Sequence, residues 1–323
     1  MLRESYVGKT VLVTGGAGFI GSHLVDRLMA DGAKQVIIVD NLFLGSEDNI
    51  ESALAKGAIF YNEDIEYKDS LEYIFNQHDI DIVFNLATKA LNYSFINPSN
   101  AFTTNVLGVI NLLELQRKCK FQSLCHFSTS EVYGTAVYEP MDEKHPKAPT
   151  TTYAAGKAAA DMAVESYVNM FNVDAFIVRP FNNYGPRQNH KGLLAGIIPI
   201  TAWRIQHNIP PEMHGDGTQS RDFVYVSDTV DAVLKLFSVM QPGDSVNIST
   251  DNCYSVKTLL RKIIDHYGYT GEVAEKNARA ADVMTHNASN EKVKKLISYK
   301  LTPFDKGLAI TLEWYRQKFR GSK

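Results

Sequence analysis

A tyrosine and a lysine four residues apart, Tyr153 and Lys157, form the pair in this sequence best suited to proton transfer. On a helix, residues at this spacing project from the same face. A phenol is a poor base at neutral pH, but a nearby ammonium stabilises the phenolate and lowers the pKa of the tyrosine into a useful range. Two more hydroxyls, on Ser128 and Thr129, follow an apolar run that ends at Phe127. The pattern predicts that Tyr153 acts as a base beside the end of a strand.

Near the start of the chain, Gly15, Gly18 and Gly21 follow the apolar run Val11–Val13 at a G-x-x-G-x-x-G spacing. The first glycine permits a tight turn and the second lets the backbone approach a pyrophosphate. The third lets the following helix pack closely on its strand, and the helix N-terminus supplies N–H groups. A second apolar run ends at Asp40, where an acid can bind ribose hydroxyls and repel a 2′-phosphate. The sequence therefore predicts an NAD site.

Strands and helices alternate through the first half of the chain. Apolar patterning predicts strands at 11–14, 35–40, 58–61, 81–85, 123–127 and 175–178, and helices at 20–31, 70–77, 101–118 and 152–171. This alternation is typical of an α/β fold with a Rossmann-type, doubly wound parallel sheet, in which ligands bind at the carboxyl ends of the strands.

The alternation of strands and helices becomes less regular after Arg179. Pro, Gly, Asn and His concentrate at 180–192 and 207–220. Further strands are predicted at 224–226 and 246–248, and further helices at 196–206, 228–237, 256–266, 290–297 and 305–318. We interpret residues 1–180, with about 222–245, as an NAD-binding Rossmann domain. Residues 181–221 and 246–323 are then expected to form a smaller mixed α/β lobe that closes over the strand ends.

Composition narrows the possible partners of the 323-residue chain. Its net charge of −3 and the lack of a Lys/Arg stripe argue against a nucleic-acid groove. No apolar run reaches the ~18 residues that span a bilayer, and no signal-peptide core is visible, so we expect a cytoplasmic location. The three cysteines, Cys119, Cys125 and Cys253, have no C-x-x-C spacing and indicate reduced thiols without a metal site.

Taken together, the motifs resemble the extended short-chain dehydrogenases/reductases, specifically their NAD-dependent nucleotide-sugar epimerase/dehydratase branch. The resemblance covers nearly the whole chain, and its later motifs are the more diagnostic because they belong to the substrate lobe. The motifs are T-G-G-A-G-F-I-G at 14–21, V-D-N at 39–41, N-L-A at 85–87, S-T-S-E-V-Y-G at 128–134, Y-A-A-G-K at 153–157, R-P-F-N-N-Y-G-P-R at 179–187, H-G-D-G-T-Q-S-R-D-F-V-Y-V-S-D at 214–228 and L-E-W-Y-R at 312–316.

The resemblance implies that Tyr153 takes the proton of the sugar 4-hydroxyl while hydride passes to NAD. It also implies that Thr129 hydrogen-bonds the same hydroxyl, that Lys157 tunes the tyrosine and that Pro180 backs the nicotinamide. The residues implied to contact the cofactor are Gly15, Gly18, Phe19, Ile20, Asp40, Asn41, Asp64, Ile65, Leu86, Ala87, Asn105, Tyr153, Lys157 and Pro180.

For the nucleotide-sugar substrate, the resemblance implies that Asn182 and Arg221 bind the diphosphate. The planar fork of an arginine matches a phosphate. Ser94 is implied to contact the sugar, and Arg279 to contact phosphate.

The informative departure from similar 4-epimerases is the pair Ser130 and Glu131, because those enzymes usually have small, non-acidic residues there. Once C4 of a sugar is a ketone, the C5 hydrogen is acidic, and elimination across C5–C6 needs a carboxylate beside it. Glu131 is a candidate for that carboxylate, with a purely structural role at a helix start as the alternative. Dehydratases for dTDP-glucose usually pair Asp with Glu, whereas Ser130 replaces the Asp here, as in enzymes that resemble GDP-mannose 4,6-dehydratase or UDP-glucuronate decarboxylase. The segment 88–91, Thr-Lys-Ala-Leu, also departs from the family pattern.

We therefore predict a nucleotide-sugar 4,6-dehydratase, with a UDP-glucose 4-epimerase-like enzyme or a UDP-glucuronate decarboxylase-like enzyme as alternatives. A homodimer is also expected, because helices 101–118 and 152–171 pair across a four-helix bundle in family dimers. Leu107, Met162, Tyr167 and Val168 are predicted to face outward from these helices.

Overall fold

The computed structural model describes residues 3–277 and 285–320. Its strands are β1 (Thr10–Thr14), β2 (Gln35–Val39), β3 (Ile59–Tyr61), β4 (Ile82–Asn85), β5 (Ser123–Phe127), β6 (Asp174–Pro180), β7 (Asn182–Tyr184), β8 (Glu212–His214), β9 (Ser220–Tyr225), β10 (Ser245–Ile248), β11 (Cys253–Ser255), β12 (Ala274–Lys276) and β13 (Thr285–His286). Its α-helices are α1 (Phe19–Ala30), α2 (Glu51–Ala55), α3 (Lys68–Gln77), α4 (Pro98–Arg117), α5 (Thr152–Phe171), α6 (Ile197–Gln206), α7 (Val226–Phe237), α8 (Val256–Tyr267), α9 (Glu291–Leu296) and α10 (Phe304–Arg320).

Seven of these strands form a parallel sheet in the order β10-β6-β5-β4-β1-β2-β3. The order changes direction between β1 and β4, as in a doubly wound fold. Val11 and Val13 pack into the apolar core on one face of the sheet, and Leu12 packs into the core on the other. Both faces are therefore buried, which explains the nearly continuous apolar runs of these strands. The predicted Rossmann-type fold is confirmed.

Helix α5, which carries the tyrosine and the lysine, has the bounds that its sequence predicts. Thr151 caps its first turn, since the side chain accepts a hydrogen bond from the N–H of Ala154 at 3.2 Å. The helix ends where Asn172 adopts a left-handed conformation with φ of 55°. Helix α4 begins before its predicted start at residue 101, because the Asn97 side chain caps it and Pro98 suits the first helical position.

Two of the four side chains predicted to face outward from α4 and α5, Tyr167 and Val168, are half-buried in the single chain. Tyr167 donates a hydrogen bond from its hydroxyl to Glu114 at 2.8 Å, and Val168 packs against the core that the two helices cover. Leu107 and Met162 are exposed, as predicted. The repeat of 3.6 residues per turn gives the direction of a side chain only approximately. Contacts between α4 and α5 also decide which side chains are covered.

The sheet membership of two strands differs from the prediction. Strand β9 pairs with β7, β11 and β13 in a separate four-stranded sheet, although residues 222–245 were expected in the Rossmann domain. Strand β10 pairs with β6 and extends the large sheet, although residues from 246 onward were expected in the smaller lobe. A short apolar run predicts a strand but not its partner, because pairing is decided by contacts distant in the sequence.

The smaller lobe has an aromatic-rich core of its own, which includes Tyr184, Phe304 and Tyr315. Strands β8 and β12 form a separate two-stranded sheet beside it. Across residues 3–277 and 285–320, no helix is long and apolar enough to cross a membrane.

Candidate active site

A cavity of about 510 Å³ lies at the carboxyl ends of the parallel strands, where the large sheet meets the smaller lobe. Most of the residues predicted to form the site line this cavity, although they are far apart in the sequence. They are Gly15, Gly18, Phe19, Ile20, Asp40, Asn41, Asp64, Ile65, Leu86, Ala87, Thr129, Tyr153, Lys157, Pro180 and Asn182.

The glycine turn between β1 and α1 is closed so tightly that side chains have no room. Gly15 has a φ of 66°, and a Cβ atom there would lie 2.7 Å from the backbone nitrogen of Ala87. A Cβ atom on Gly21 would overlap the carbonyl oxygen of Gly15. The N-terminus of α1 therefore reaches the cavity as bare backbone, which suits a phosphate group.

The acid at the end of β2 is held by the same turn. Asp40 is buried, and its carboxylate accepts hydrogen bonds from the N–H groups of Leu42 at 2.8 Å and Ala17 at 3.0 Å. Burial raises the pKa of Asp40, and these backbone donors oppose the rise. Next to it, the Asn41 amide donates to Asp64 at 2.6 Å and ties the loops after β2 and β3 together. The carboxylate of Asp40 retains lone pairs that can accept hydrogen bonds from ribose hydroxyls.

Tyr153 lines the cavity together with two threonines, Thr129 after β5 and Thr88 after β4. Burial raises the pKa of Tyr153 to about 12, the two threonines lower it, and the negative charge of Glu131 raises it. We expected Lys157 to lower this pKa. In the protein chain alone, the cost of removing a phenolate from water is larger than any such effect.

Lys157 lies one helical turn after Tyr153 and is buried, and its ammonium donates a hydrogen bond to the carbonyl of Phe127 at 2.8 Å. Burial lowers the pKa of Lys157 to about 8, while the negative charge of Asp161, one further turn along α5, raises it. Asp161 is itself paired with Arg179 at 2.9 Å. Lys157 is thus a cation held at the cavity by the end of β5.

Ser130 and Glu131 lie in a short 3₁₀ helix that begins directly after Thr129. The hydroxyl of Thr129 caps this helix by accepting a hydrogen bond from the N–H of Glu131 at 3.3 Å. Ser130 is buried and Glu131 is half-buried. Neither belongs to the cavity lining among the described residues, although the charge of Glu131 acts on Tyr153.

Three other predicted residues are placed differently, and a fourth falls outside the described part of the chain. Ser94 accepts a hydrogen bond from the N–H of Tyr153 at 2.9 Å, so it supports the start of α5. Asn105 is buried behind the cavity. Arg221 lies on β9, outside the lining, and donates to the carbonyl of Ser220. Arg279 lies outside the described residues.

Asn182 lines the cavity and has a buried amide nitrogen with no hydrogen-bond partner in the part of the chain that the structure describes. A buried polar group without a partner is costly. An acceptor on a ligand in the cavity would satisfy it, which agrees with the predicted diphosphate contact.

Sequence reasoning missed Thr88 and Lys89 as site residues. Lys89 is 7% exposed, lines the cavity, and has its ammonium 3.9 Å from the centroid of the Phe43 ring. Among the described residues, no carboxylate lies within ion-pair distance of Lys89. The signal was available, because both residues directly follow the N-L-A motif at the end of β4 in the segment that departs from the family pattern.

A Rossmann-type sheet whose strand ends carry a glycine turn, a buried acid and a Thr–Tyr–Lys group defines the class of short-chain dehydrogenases/reductases. Over residues 12–310, the chain matches the family profile described as GDP-mannose 4,6 dehydratase. These observations show that the chain belongs to the NAD-dependent sugar epimerase/dehydratase family of extended short-chain dehydrogenases/reductases.

Curated relatives carry different activities at similar identity. The chain is 33% identical to human dTDP-D-glucose 4,6-dehydratase, with 98% of this chain and 92% of that protein covered. It is 35% identical to a putative UDP-glucose 4-epimerase of Methanocaldococcus jannaschii, with 96% and 99% covered. It is 30% identical to UDP-glucuronic acid decarboxylase 1 of Xenopus tropicalis, with 96% and 73% covered.

The solved structures similar to this chain also include both epimerases and dehydratases. UDP-glucose 4-epimerase of Thermotoga maritima, solved with UDP-glucose, superposes with a TM-score of 0.91 at 32% identity over 96% of this chain and 99% of that one. A dTDP-glucose 4,6-dehydratase of Streptomyces venezuelae, solved with NAD and TYD bound, also has a TM-score of 0.91, at 28% identity over 97% and 98%.

Proposed function

We propose that the protein binds NAD along the strand ends from β3 to β6. The bare glycine turn would hold the pyrophosphate at the N-terminus of α1, and Asp40 would accept hydrogen bonds from the adenosine ribose. Lys89 would contribute a positive charge to the same cavity. Bound NAD would supply an acceptor for the C4 hydrogen of a sugar and later return that hydrogen.

The reaction that we propose is 4,6-dehydration of a nucleotide-linked hexose. The observation that carries this proposal is the position of Glu131, which follows Thr129 directly and whose charge acts on Tyr153. Elimination from a 4-ketosugar needs a carboxylate near the tyrosine that forms the ketone, because C5 is bonded to C4. Asn182, with its unpartnered buried amide, is positioned to bind the diphosphate.

In this mechanism, Tyr153 takes the proton of the sugar 4-hydroxyl while Thr129 hydrogen-bonds the same oxygen and C4 becomes a ketone. Glu131 then takes the C5 proton and passes it to the C6 oxygen, which leaves as water. A solvent proton delivered through Glu131 restores C5 when hydrogen returns to C6. The proton held by Tyr153 goes to solvent, so the net change is the loss of one water.

A 4-epimerase is the second candidate, favoured by the absence of Ser130 and Glu131 from the described cavity lining. In that reaction, the 4-ketosugar would rotate in the cavity, and hydrogen would return to the opposite face of its C4 atom. Tyr153 and Thr129 would have the same roles in both reactions.

The deciding experiment incubates the NAD-loaded protein with UDP-, dTDP-, GDP- and CDP-hexoses and with UDP-glucuronate, and measures product mass. Loss of one water from a hexose supports the proposal, an epimer of unchanged mass supports the second candidate, and loss of carbon dioxide would identify a decarboxylase. The matched variant Glu131→Gln is expected to form the ketone and stop, so that reduced nicotinamide accumulates, whereas Tyr153→Phe should not form the ketone. Absence of turnover on every substrate would refute the proposed function.

We also propose that two copies of the chain pair through α4 and α5. Five large apolar side chains on these helices are exposed in the single chain: Phe102, Leu107, Met162, Met170 and Phe171. Exposed apolar side chains on a pair of packed helices favour association with a partner that covers them, and a second copy would extend the α4–α5 pair into a four-helix bundle.

A further inference from the structure

The loops that follow β4 and β2 are joined by a contact between two side chains that line the cavity. In the large sheet, β1 lies between β4 and β2, so these loops leave the sheet on either side of the glycine turn that follows β1. Lys89 belongs to the first loop and Phe43 to the second. The Lys89 ammonium lies 3.9 Å from the centroid of the Phe43 ring. This contact therefore connects the two loops that flank the glycine turn.

Each loop is also tied to the glycine turn at its base. A Cβ atom on Gly15 would lie 2.7 Å from the backbone nitrogen of Ala87, so the turn touches the start of the loop after β4. On the other side, the N–H of Ser46 in the loop after β2 donates a hydrogen bond to the carbonyl of Ala17 at 3.1 Å. The glycine turn, the two loops and the Lys89–Phe43 contact therefore form a closed ring at this edge of the cavity.

The Lys89–Phe43 contact stabilises the closed ring without making it permanent. An ammonium is attracted to the face of an aromatic ring, more strongly where water is excluded. Lys89 is buried, whereas Phe43 is 37% exposed and has solvent on its outer side. Tyr93, also after β4, packs its edge against the Phe43 ring with the centroids 4.9 Å apart. The ring is thus held by contacts with surface loops, and loops of this kind move on the nanosecond-to-microsecond time scale.

We propose that Lys89 and Phe43 form a clasp over the pyrophosphate of bound NAD, and that this clasp must open before NAD can enter or leave. Phe43 is then a positioning residue, which acts through the Lys89 ammonium. The inference rests on the proposed function, in which the glycine turn holds the pyrophosphate. It deepens that function by assigning the control of cofactor exchange, since slow release retains NAD between the removal and the return of the sugar hydrogen.

The test measures how fast NAD enters and leaves the protein. Release is followed by displacing isotopically labelled NAD with an excess of unlabelled NAD, and uptake by adding labelled NAD to NAD-free protein, each with rapid filtration. Phe43→Leu keeps an apolar side chain and removes the ring face. Both rate constants should rise, release by about tenfold, and Kd should change less than either. Phe43→Tyr keeps the ring and should have wild-type rates. Phe43→Met replaces Phe43→Leu if that variant does not fold.

A second variant tests whether Phe43 acts through Lys89. Lys89→Met removes the charge that the ring holds, so the effect of Phe43→Leu on both rates should disappear when Lys89→Met is already present. Acceleration by Phe43→Leu that is equally large with and without the lysine would refute the clasp. Faster release with unchanged uptake would also refute it, because that pattern indicates a lost contact with NAD and not an opened clasp.

These measurements use no sugar, so they are independent of the proposed dehydration. A rise in both rate constants would support the clasp even if no nucleotide hexose reacts. Unchanged rate constants in Phe43→Leu, in a protein that binds NAD, would refute the clasp and leave the proposed function intact. A protein that binds no NAD would refute both.

Discussion

The ammonium of Lys157 donates a hydrogen bond to the carbonyl of Phe127 at 2.8 Å, which joins α5 to the end of β5. Thr129 follows this carbonyl by two residues, and Tyr153 precedes the lysine by one helical turn. This hydrogen bond therefore links the helix that supplies the tyrosine to the strand that precedes the threonine. The ammonium also remains next to the cavity, where it can bind a ligand hydroxyl.

Replacing Lys157 by Met should abolish activity and increase the stability of the protein. The folded state disfavours the charged lysine, whose pKa falls from 10.5 to about 8. Because the folded pKa is the lower one, the stability cost is complete below about pH 8 and disappears as pH rises toward 10.5. At pH 7, the free energy of unfolding should therefore rise by about 1–3 kcal/mol. Chemical denaturation at several pH values measures this gain, and Lys56→Met at an exposed lysine is the control. A loss of stability at pH 7 equal to or larger than that of the control would contradict the account.

Replacing Thr129 by Val should shift the pH dependence of the first turnover to higher pH. Thr129 lowers the pKa of Tyr153, which burial raises to about 12. The base is the ionised tyrosine, so activity rises with pH through the pKa that Tyr153 has in the loaded enzyme. Loss of one stabilising hydrogen bond should raise this pKa by about one unit, which lowers the rate at neutral pH about tenfold. Rapid-mixing absorbance of reduced nicotinamide measures the rate, and Thr129→Ser should recover it. An unchanged pH profile would show that Thr129 does not act through Tyr153.

Replacing Gly21 by Ala should weaken NAD binding and destabilise the protein. The added methyl group would overlap the carbonyl oxygen of Gly15, so α1 would have to move away from the turn. We expect a loss of about 2 kcal/mol in the free energy of unfolding, typical of overpacking, and a large loss of affinity for NAD. Gly57→Ala is the control for destabilisation alone: its φ of 96° strains an alanine, but a Cβ atom there meets no neighbour within 4 Å, and Gly57 does not belong to the cavity lining of the described residues. Calorimetric titration with NAD compares the two, and equal affinities would contradict the role of the turn.

Replacing both Leu107 and Met162 by Glu should convert a dimer into a monomer. These side chains are 45% and 54% exposed in the single chain, and charges placed there would be buried without partners in a bundle. Sedimentation velocity at micromolar concentration distinguishes the two states. Val7→Glu changes an apolar residue of similar exposure outside α4 and α5, and should leave the dimer intact. A wild-type protein that sediments only as a monomer would refute the proposed pairing.

The cofactor half of the site was predictable because its residues follow strand ends. The sequence locates those ends, and a parallel sheet brings them to one edge. Asp40 and Thr129 were found in this way, and both line the cavity. The bounds of α5 were also predictable, because Thr151 and Asn172 are residue types that begin and end helices.

The remaining parts of the site depend on contacts that sequence spacing does not encode. Ser94 supports the backbone of Tyr153 through a hydrogen bond between residues 59 positions apart. Thr88, in the cavity lining, donates a hydrogen bond to Asn105 at 2.7 Å, and the carbonyl of Ala101 orients the Asn105 amide. The sequence of β9 predicts a strand but not its partners. Its pairing with β7 and β11 depends on the fold of the whole lobe.

The most direct test of the proposed 4,6-dehydration is turnover of the reactive nucleotide hexose in heavy water. If Glu131 takes the C5 proton and C5 is later restored from solvent, the product should lose one water and contain deuterium at C5. The Glu131→Gln variant should form no such product. A product that keeps the mass of the substrate and contains no deuterium at C5 would contradict dehydration and identify the enzyme as an epimerase.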